Sequence, residues 1–494
     1  MTSIAEQIEQ LFKQHSQADI IRLEKLPQSG SDRIYFRLEC KNCEGNNFNS
    51  VIGTYNINKK ENKTFLNFSR HFKSIGSPVP FIYATNEEGT IYLQEDFGNV
   101  SLLDMLEKHG QNEYVYSLYQ KSLKALSYLQ INADKEIDYD WCITSREFGK
   151  QAILSDLLYF KYYFLDTLKI PYDKENLYND FDALSTYLAH VDHKYFMFRD
   201  FQSRNIMIKN DEVFFIDYQG GMKGALQYDV ASLLWQAKAH LSDEWKTSLL
   251  EYYMDCADEL LNKDMDRNRF VSQYNGYVLL RMLQVLGAYG FRGLFERKAH
   301  FLTSIPLALL NLKWFINNKH FGISLPEFEQ LMTRIVEDDI INRFVPIKAN
   351  TATPLTVTIN SFSYLKRGYP PDPSRNGGGF VFDCRGILNP GRIELYKQMT
   401  GRDKKVKDYL EQQTRMEDFL NSVYNVVDIA VENYIGRNFE SLMINFGCTG
   451  GQHRSVYAAD ALSRHLRNKY AVRTIVNHLE QNISETKESP NPAK

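Results

Sequence analysis

Asp200, Asn205 and Asp217 are the residues whose types and spacing could carry chemistry. Asp200 and Asn205 stand five positions apart in Phe198-Arg199-Asp200-Phe201-Gln202-Ser203-Arg204-Asn205, and Asp217 closes the apolar run Phe214-Phe215-Ile216. An Asp on a loop can accept the proton of an attacking hydroxyl, while an Asn and a second Asp hold Mg²⁺ on nucleotide phosphates. Phosphoryl transfer asks little more of a protein than positioning and charge neutralisation. A lone Arg-Asp or Asp-Tyr would read as a surface hairpin. The whole constellation, set between apolar strands, points to a kinase-like site with Asp200 as base and Asn205 and Asp217 as metal-binding groups.

The elements that must position these residues are legible upstream. Residues 1 to about 20 read as an amphipathic helix with Ile4, Ile8, Leu11 and Phe12 on one face. A polar turn follows, Leu26 to Arg33, and then the strand Ile34-Tyr35-Phe36-Arg37-Leu38. Strand, turn, strand is where a kinase covers the nucleotide phosphates, which makes Ser29, Gly30 and Ser31 candidate ATP contacts; a surface hairpin would look the same. Val51 to Tyr55 reads as the third strand and carries no Lys of the kind that pairs phosphates in protein kinases. Lys59, Lys60 and Lys63 fall beyond it, in the next loop and helix. Glu61 opens that helix, either to hold a metal or cation or as a first-turn acid favoured by the helix dipole. Ile91 to Asp96 is a strand running into a polar stop, suited to the hinge where backbone groups near Glu95 meet an adenine edge. Residues 101 to 190 are helical and aromatic and carry no assigned chemistry. Asp229 precedes an apolar run and reads as a buried acid bracing the catalytic-loop backbone.

The chain has 494 residues, 43% hydrophobic and 24% charged, with a net charge of −3, so it is large enough for several domains of ordinary globular composition. That charge singles out neither a nucleic-acid binder nor a membrane-surface protein. The sequence opens without the basic-then-apolar pattern of a signal peptide, and no uninterrupted apolar run approaches the ~18 residues of a membrane span. Its 6 cysteines form no disulfide framework, and Cys40 and Cys43 make one CxxC without a second pair at zinc spacing. A reducing, cytoplasmic setting is expected.

A second pattern starts after residues 341–354, which read as a linker. Leu355 to Phe362 is strand-like, Gly377-Gly378-Gly379 leads into Phe380 to Arg385, helices occupy about 404–436, and Ser441 to Phe446 is a buried strand. Between that strand and a helix from Ser455 to Leu466 lies Gly447-Cys448-Thr449-Gly450-Gly451-Gln452-His453-Arg454-Ser455. A Gly-rich strand-to-helix turn offers backbone N–H groups and a positive helix end to an anion. His453 and Arg454 are expected to add charge-assisted bonds. The loop also fits Cys-x₅-Arg-Ser, in which a thiolate attacks phosphorus, with Asp383 as the candidate general acid.

Residues 20–315 resemble the aminoglycoside phosphotransferase and choline kinase superfamily. They look most like the anomeric kinases of N-acetylmuramate and N-acetylglucosamine in Arg199 to Met207, Ile216 to Gln219, Gly224 to Leu234 and Gln284 to Arg292. The absent third-strand Lys and the Glu61-Asn62 helix start are similar to that branch. Phe198 stands where those kinases usually have His. The resemblance implies an ATP- and Mg²⁺-dependent kinase of a sugar or amino-sugar hydroxyl, with C1 as one candidate, acting in cell-wall recycling.

Residues 355–480 resemble the RapZ C-terminal domain in Ser361 to Tyr364, Phe382 to Arg385, Asn389-Pro390, Met399 to Lys404 and Gly447 to Tyr457. That resemblance implies a phosphosugar or nucleotide-sugar pocket at Asp383, Arg385, Thr449, Gly450, Gly451, His453, Arg454 and Ser455. Gly391 replaces the His that follows Asn-Pro, and Gln452 replaces a Lys in the loop. RapZ-like domains can also bind RNA, but the basic surplus over these residues is slight and gives RNA little support.

The expected architecture is an α+β protein-kinase-like two-lobed fold over 1–340, the linker, a smaller α/β (RapZ C-terminal-like) domain over 355–480, and a disordered tail over 481–494. The expected function is a sugar kinase regulated by a phosphosugar-binding domain. The rival is a metabolite sensor or adaptor, working through a partner protein or RNA, whose kinase half has lost turnover. Oligomeric state is not legible.

Overall fold

Five antiparallel strands open the chain: β1 (Asp19–Lys25), β2 (Ile34–Lys41), β3 (Ser50–Tyr55), β4 (Ile82–Thr85) and β5 (Ile91–Glu95), in the spatial order β1-β2-β3-β5-β4. The computed structural model describes residues 3–26, 33–41, 49–296, 298–374 and 379–488. Ser29, Gly30 and Ser31, along with Cys43, Gly377, Gly378 and residues 489–494, lie outside the described residues. Strand alternation sorts the faces of the sheet. Phe36, Leu38, Val51 and Leu93 bury against Ile8, Leu11 and Phe12 of the helix Ile4–His15. That helix starts at a Ser3/Glu6 capping box and ends before residue 20, because Asp19 and Ile20 already pair with Lys41 and Cys40. A Cβ at Gly53 would stand 2.4 Å from Ile8 Cγ2, so the helix lies directly on β3.

The other face receives the helix Lys59–Ser74, capped by Asn58. Its Phe65 stacks on Tyr218 at 5.1 Å and its Phe72 packs on Phe196 at 4.8 Å, tying the sheet to the helical lobe. Two small ladders carry the polar loops there. β6 (Lys194–Met197) pairs with β9 (Met222–Ala225), and β7 (Ile206–Lys209) pairs with β8 (Glu212–Phe215). The Asp200 loop joins β6 to β7, and the Asp217 turn joins β8 to β9. Both acids therefore meet at one end of these two ladders.

The helix Arg267–Tyr289 continues as a π-turn to Phe295. By length and composition this stretch could cross a membrane, although no uninterrupted apolar run in the sequence suggests it. Its apolar window is 56% buried within the protein and it carries the buried Arg281, which marks it as a core helix.

The chain divides into two compact units: Met1–Ala288 with Leu307–Glu337, and Tyr289–Pro306 with Asp338–Lys494. The segment 289–306, which reads as a continuation of the first domain's helices, thus groups with the second unit. That unit holds a sheet of β10 (Thr356–Ser363), β11 (Phe380–Asp383), β12 (Ser441–Cys448), β13 (Arg473–His478) and β14 (Ile483–Lys487), in the order β11-β12-β10-β13-β14. β10, β11, β12 and β13 run parallel, and their core is closed by Val406, Val427, Leu462 and neighbours from three helices.

β14 corrects the expectation of disorder from residue 481. It pairs antiparallel with β13, and its charged side chains are what hold it: Arg402 donates to both Glu485 oxygens at 2.8 and 3.1 Å, and Lys487 meets Asp460 at 3.2 Å. Its polar composition resembles a tail, although β13, its ladder partner, ends just before it and its ion pairs reach back to Arg402 and Asp460.

Candidate functional site

The Asp200 loop is held from behind by Asp229. The Phe198 N–H donates to its Oδ2 at 2.7 Å, the Arg199 N–H to its Oδ1 at 2.9 Å, and Gln130 Nε2 to its Oδ2 at 2.8 Å. Asp229 is fully buried, and that burial pushes its carboxyl up to about 7 even though these donors favour the charged form. The bracing role read from the sequence is the role it plays. The same grip forces Arg199 to φ 79, and Asp217 sits at φ 70, both in the left-handed region that non-glycine residues seldom adopt. Phe198, in the place of the expected His, is buried edge-on to Phe201, Phe215 and Tyr218, so an aromatic cluster replaces a polar contact beneath the loop.

Asn205 draws the three polar groups together. Its Nδ2 donates to the Asp200 carbonyl at 2.9 Å and lies 3.4 Å from Asp217 Oδ2, while Gln219 Nε2 donates to Asp217 Oδ1 at 2.8 Å. Mg²⁺ is commonly held by one or two carboxylates plus phosphates and water. One Asp and one Asn amide at this separation fit that requirement, and no cluster of three acids or histidines is needed. ATP would supply the remaining oxygens.

Two cations border the acids, and neither was singled out from the sequence. Arg281 Nη2 reaches Asp200 Oδ1 at 3.5 Å, and its Nη1 donates to Gln284 Oε1 at 2.6 Å. Arg33 Nη2 pairs with Glu61 Oε1 at 2.7 Å, and its Nη1 lies 3.8 Å from Asp217 Oδ1. Glu61 thus holds a cation while standing in the first helical turn, so both readings of that residue apply. Neither Arg stands in a local motif with the acids, so no signal in the sequence pointed to either pairing.

Glu95 is placed differently from expectation. Its N–H donates to the Phe81 carbonyl at 2.9 Å, and its carboxylate accepts from Phe81 N–H at 3.2 Å and Lys73 Nζ at 3.3 Å. An adenine edge would have to use other backbone groups of this segment. Those groups are ordered by Arg37, which donates to Asp96 Oδ2 at 2.6 Å, Asn99 Oδ1 at 2.8 Å and the Gly98 carbonyl at 3.1 Å. Burial works against the Asp96 charge, yet the bonds from Arg37, Gly98 N–H and Ser50 keep its carboxyl below the usual range.

The second unit gathers its candidate residues at the carboxyl ends of its parallel strands, where open α/β sheets take ligands. Register sets Ser363 beside Cys448 and Asp383 beside Gly447. Cys448 Sγ accepts from Gly451 N–H at 3.1 Å and lies 3.2 Å from Ser455 Oγ, and Ser363 Oγ donates to the Thr449 carbonyl at 2.6 Å. Gly451 takes φ 66, and a Cβ there would stand 2.4 Å from Glu480 Cγ, whereas Gly450 faces open space.

Two expected anion contacts are otherwise engaged. Arg454 is buried, with Nη1 donating to the Ile387 carbonyl at 2.7 Å and the Arg385 carbonyl at 3.2 Å, and Nη2 lies 3.4 Å from Thr449 Oγ1. It anchors the 385–387 turn instead of projecting outward. His453 Nε2 meets the Tyr396 carbonyl at 2.9 Å, and burial lowers its pKa, so it is a neutral donor and not a cation. Gln452 likewise donates to the Lys397 and Met399 carbonyls, at 3.0 and 2.7 Å.

Arg385 is an accessible cation at this edge and lies 4.1 Å over the Tyr364 ring. It bonds Asp383 and holds that carboxyl below the usual range, so Asp383 is ionised near neutrality and ill suited to act as a general acid. Lys366 and Arg367, also not singled out, reach Glu480 at 3.9 and 3.8 Å beside Gly451.

Residues 58–260 match the model of the phosphotransferase enzyme family, and residues 355–482 match that of the RapZ C-terminal domain. Among curated relatives, a nucleotide-binding protein of Alkaliphilus oremlandii is 36% identical over 138 residues, covering 28% of this chain and 45% of that protein. One from Cereibacter sphaeroides is 40% identical over 115 residues, covering 23% and 36%. The chain spans less than half the length of these relatives. Among solved structures, the streptomycin–ATP–APH(2″)-IIa ternary complex gives a TM-score of 0.43 at 16% identity, covering 59% of this chain and 95% of that one. A choline/ethanolamine kinase family protein from Mesorhizobium loti gives 0.41 at 12% identity, covering 64% and 92%.

Proposed function

We propose that this chain, in which a phosphotransferase-family domain is joined to a RapZ C-terminal domain, moves the terminal phosphoryl group of ATP to a sugar hydroxyl under the control of a phosphosugar or nucleotide sugar. The observation that carries the reading is that the Asn205 amide nitrogen bridges the Asp200 backbone carbonyl, at 2.9 Å, and the Asp217 carboxylate, at 3.4 Å, which sets the three residues side by side. Asp200 accepts the acceptor's proton, and Arg281 fixes the carboxylate that does so. Asn205 and Asp217 would hold Mg²⁺, which would neutralise charge on the phosphates. An amino sugar such as N-acetylmuramate or N-acetylglucosamine is the acceptor class we favour, with C1 among the candidate hydroxyls. The second unit binds its phosphorylated ligand at the carboxyl ends of β10, β11 and β12, through Arg385, Thr449 and the Gly450 N–H, the Gly451 N–H being held by Cys448 Sγ. Buried free thiols, such as Cys142, Cys256 and Cys384, suit a reducing cytoplasm.

³¹P NMR of the products from MgATP and a panel of N-acetylmuramate, N-acetylglucosamine, glucosamine, neutral hexoses, choline and aminoglycosides tests this. A new sugar-phosphate resonance is expected, and its coupling identifies the hydroxyl. A second reading, an adaptor that binds a phosphosugar without turnover, is supported by the RapZ-domain match. It predicts phosphosugar binding by the second unit together with no product from any acceptor.

A further inference from the structure

We propose that Asp156 is a positioning residue for the base: through Arg199 it holds the loop in the left-handed backbone conformation that presents Asp200. The inference rests on the phosphoryl-transfer reading of this site. Arg199 immediately precedes Asp200, and its φ of 79 is one that a residue with a Cβ keeps only when its surroundings fix it. Two anchors do so, one at each end of the residue. At the backbone end, the Arg199 N–H donates to Asp229 Oδ1 at 2.9 Å. At the side-chain end, Arg199 Nη2 donates to both Asp156 oxygens at 2.9 Å.

The second anchor is built for rigidity. Asp156 lies on the helix Lys150–Phe160, and its side chain is 13% exposed. The Arg199 guanidinium carbon stands 4.4 Å from the Phe148 ring centre and 5.2 Å from that of Tyr228. Phe148 is itself fixed, because its N–H donates to the Lys223 carbonyl of β9 at 2.7 Å. Tyr228 adjoins Asp229, so two consecutive, fully buried residues grip the two ends of Arg199. Asp156 has no other hydrogen-bond or ion-pair partner among the described residues, so its carboxylate serves this one contact.

The contact reaches the acid. A Cβ at Gly220 would stand 3.8 Å from both Arg199 Cγ and Asp200 Oδ2, so the Arg stem and the reacting carboxylate lie against one wall. Without Asp156, Arg199 is free to relax to negative φ. That rotates the Arg199–Asp200 peptide and carries Asp200 away from Arg281 and from the Asn205 amide that bonds its carbonyl.

Amide hydrogen exchange of the full-length protein tests the assignment in Asp156→Asn, Arg199→Ala, Arg199→Gly and the double variant Asp156→Asn/Arg199→Gly. It is read on the loop Phe198–Asn205, with the β7–β8 ladder as control. Backbone strain of this kind corresponds to roughly 10- to 100-fold in an opening equilibrium. Asp156→Asn and Arg199→Ala should quicken loop exchange by about that factor and leave the ladder within about threefold of wild type. Glycine adopts this φ without steric cost, so Arg199→Gly should stay within about threefold of wild type, and adding Asp156→Asn to it should change nothing further. With MgATP and an acceptor, Asp156→Asn should lower kcat by about 10- to 100-fold and leave KM for MgATP within about threefold.

Loop exchange or kcat unchanged in Asp156→Asn, loop and ladder quickening together, or Arg199→Gly behaving as Arg199→Ala would each overturn the positioning role. Should Asp156→Asn melt below the assay temperature, the comparison of Ala with Gly at Arg199 decides. The expected exchange pattern together with no turnover of any acceptor by wild type would overturn the phosphoryl-transfer reading instead.

Discussion

Arg281 Nη2 stands 3.5 Å from Asp200 Oδ1, although 81 positions separate the two residues. The Arg is buried on the core helix, 6.0 Å over the Tyr228 ring, while the Asp is half exposed toward the cleft. A buried cation behind a half-exposed acid fixes which carboxylate oxygen faces an incoming hydroxyl. Arg281→Met should therefore lower kcat by about 10- to 100-fold and leave MgATP affinity near wild type. Arg281→Lys should recover part of the loss. Steady-state kinetics with parallel nucleotide titration check this. An equal loss of nucleotide binding would indicate collapse of the lobe instead.

Asp229 predicts a pH signature. Burial raises its folded carboxyl from the ordinary aspartate value of 3.8 to about 7. Between those values the folded chain holds a proton that the unfolded chain has released, so this group's contribution to stability falls as pH rises from about 4 to 7 and is flat above. Asp229→Asn should remove that slope from denaturant midpoints measured between pH 5 and 8. It should also slow turnover, because the Phe198 and Arg199 N–H groups lose an anionic acceptor. A wild-type midpoint that rises across this window more than that of the Asn variant would contradict the assignment.

In the second unit, Gly451 takes a left-handed φ of 66 with Glu480 Cγ 2.4 Å from its missing Cβ. Gly451→Ala should destabilise the protein by about 1–3 kcal/mol and weaken glucosamine-6-phosphate binding, whereas Gly450→Ala, facing open space, should cost less stability. Thermal melts and ligand titration of the two variants separate backbone strain from ligand contact.

Arg385 is an exposed cation of that edge, while Arg454 is spent on the Ile387 and Arg385 carbonyls. Arg385→Ala should weaken glucosamine-6-phosphate by about tenfold with little change in melting temperature, and Arg454→Ala should lower the melting temperature itself. Cys448 is 2% exposed at the base of the loop. The folded protein should resist iodoacetamide at that position near neutrality, and Cys448→Ser should still bind glucosamine-6-phosphate.

What was legible in the sequence was what is local in the chain. Asp200, Asn205 and Asp217 lie within one pair of hairpins, and Gly447 to Ser455 within one strand-to-helix turn, so spacing alone brings each group together. Strand alternation likewise predicts which face of β2 buries Phe36 and Leu38. Residues paired by tertiary register were not legible. Arg33 reaches Asp217 only because β2 and β3 align Tyr35 with Thr54, and Arg281 reaches Asp200 only through the packing of a distant helix. Orientation was equally hidden: nothing in Gly447 to Ser455 tells that Arg454 turns back to a neighbouring turn's carbonyls or that His453 is buried and neutral. β14 was missed because its polar sequence lacks an apolar alternation, while the ladder with β13 and the ion pairs to Arg402 and Asp460 hold it.

The most direct test of the central claim is ADP release from MgATP by wild type and Asp200→Ala across the amino-sugar panel, with MgATP affinity measured on the same samples. The account predicts acceptor-dependent turnover in wild type that falls by about 10²- to 10⁴-fold in the variant while MgATP affinity stays within a few-fold. Turnover that survives in Asp200→Ala, or a wild type that binds MgATP and turns over none of the acceptors, would contradict it.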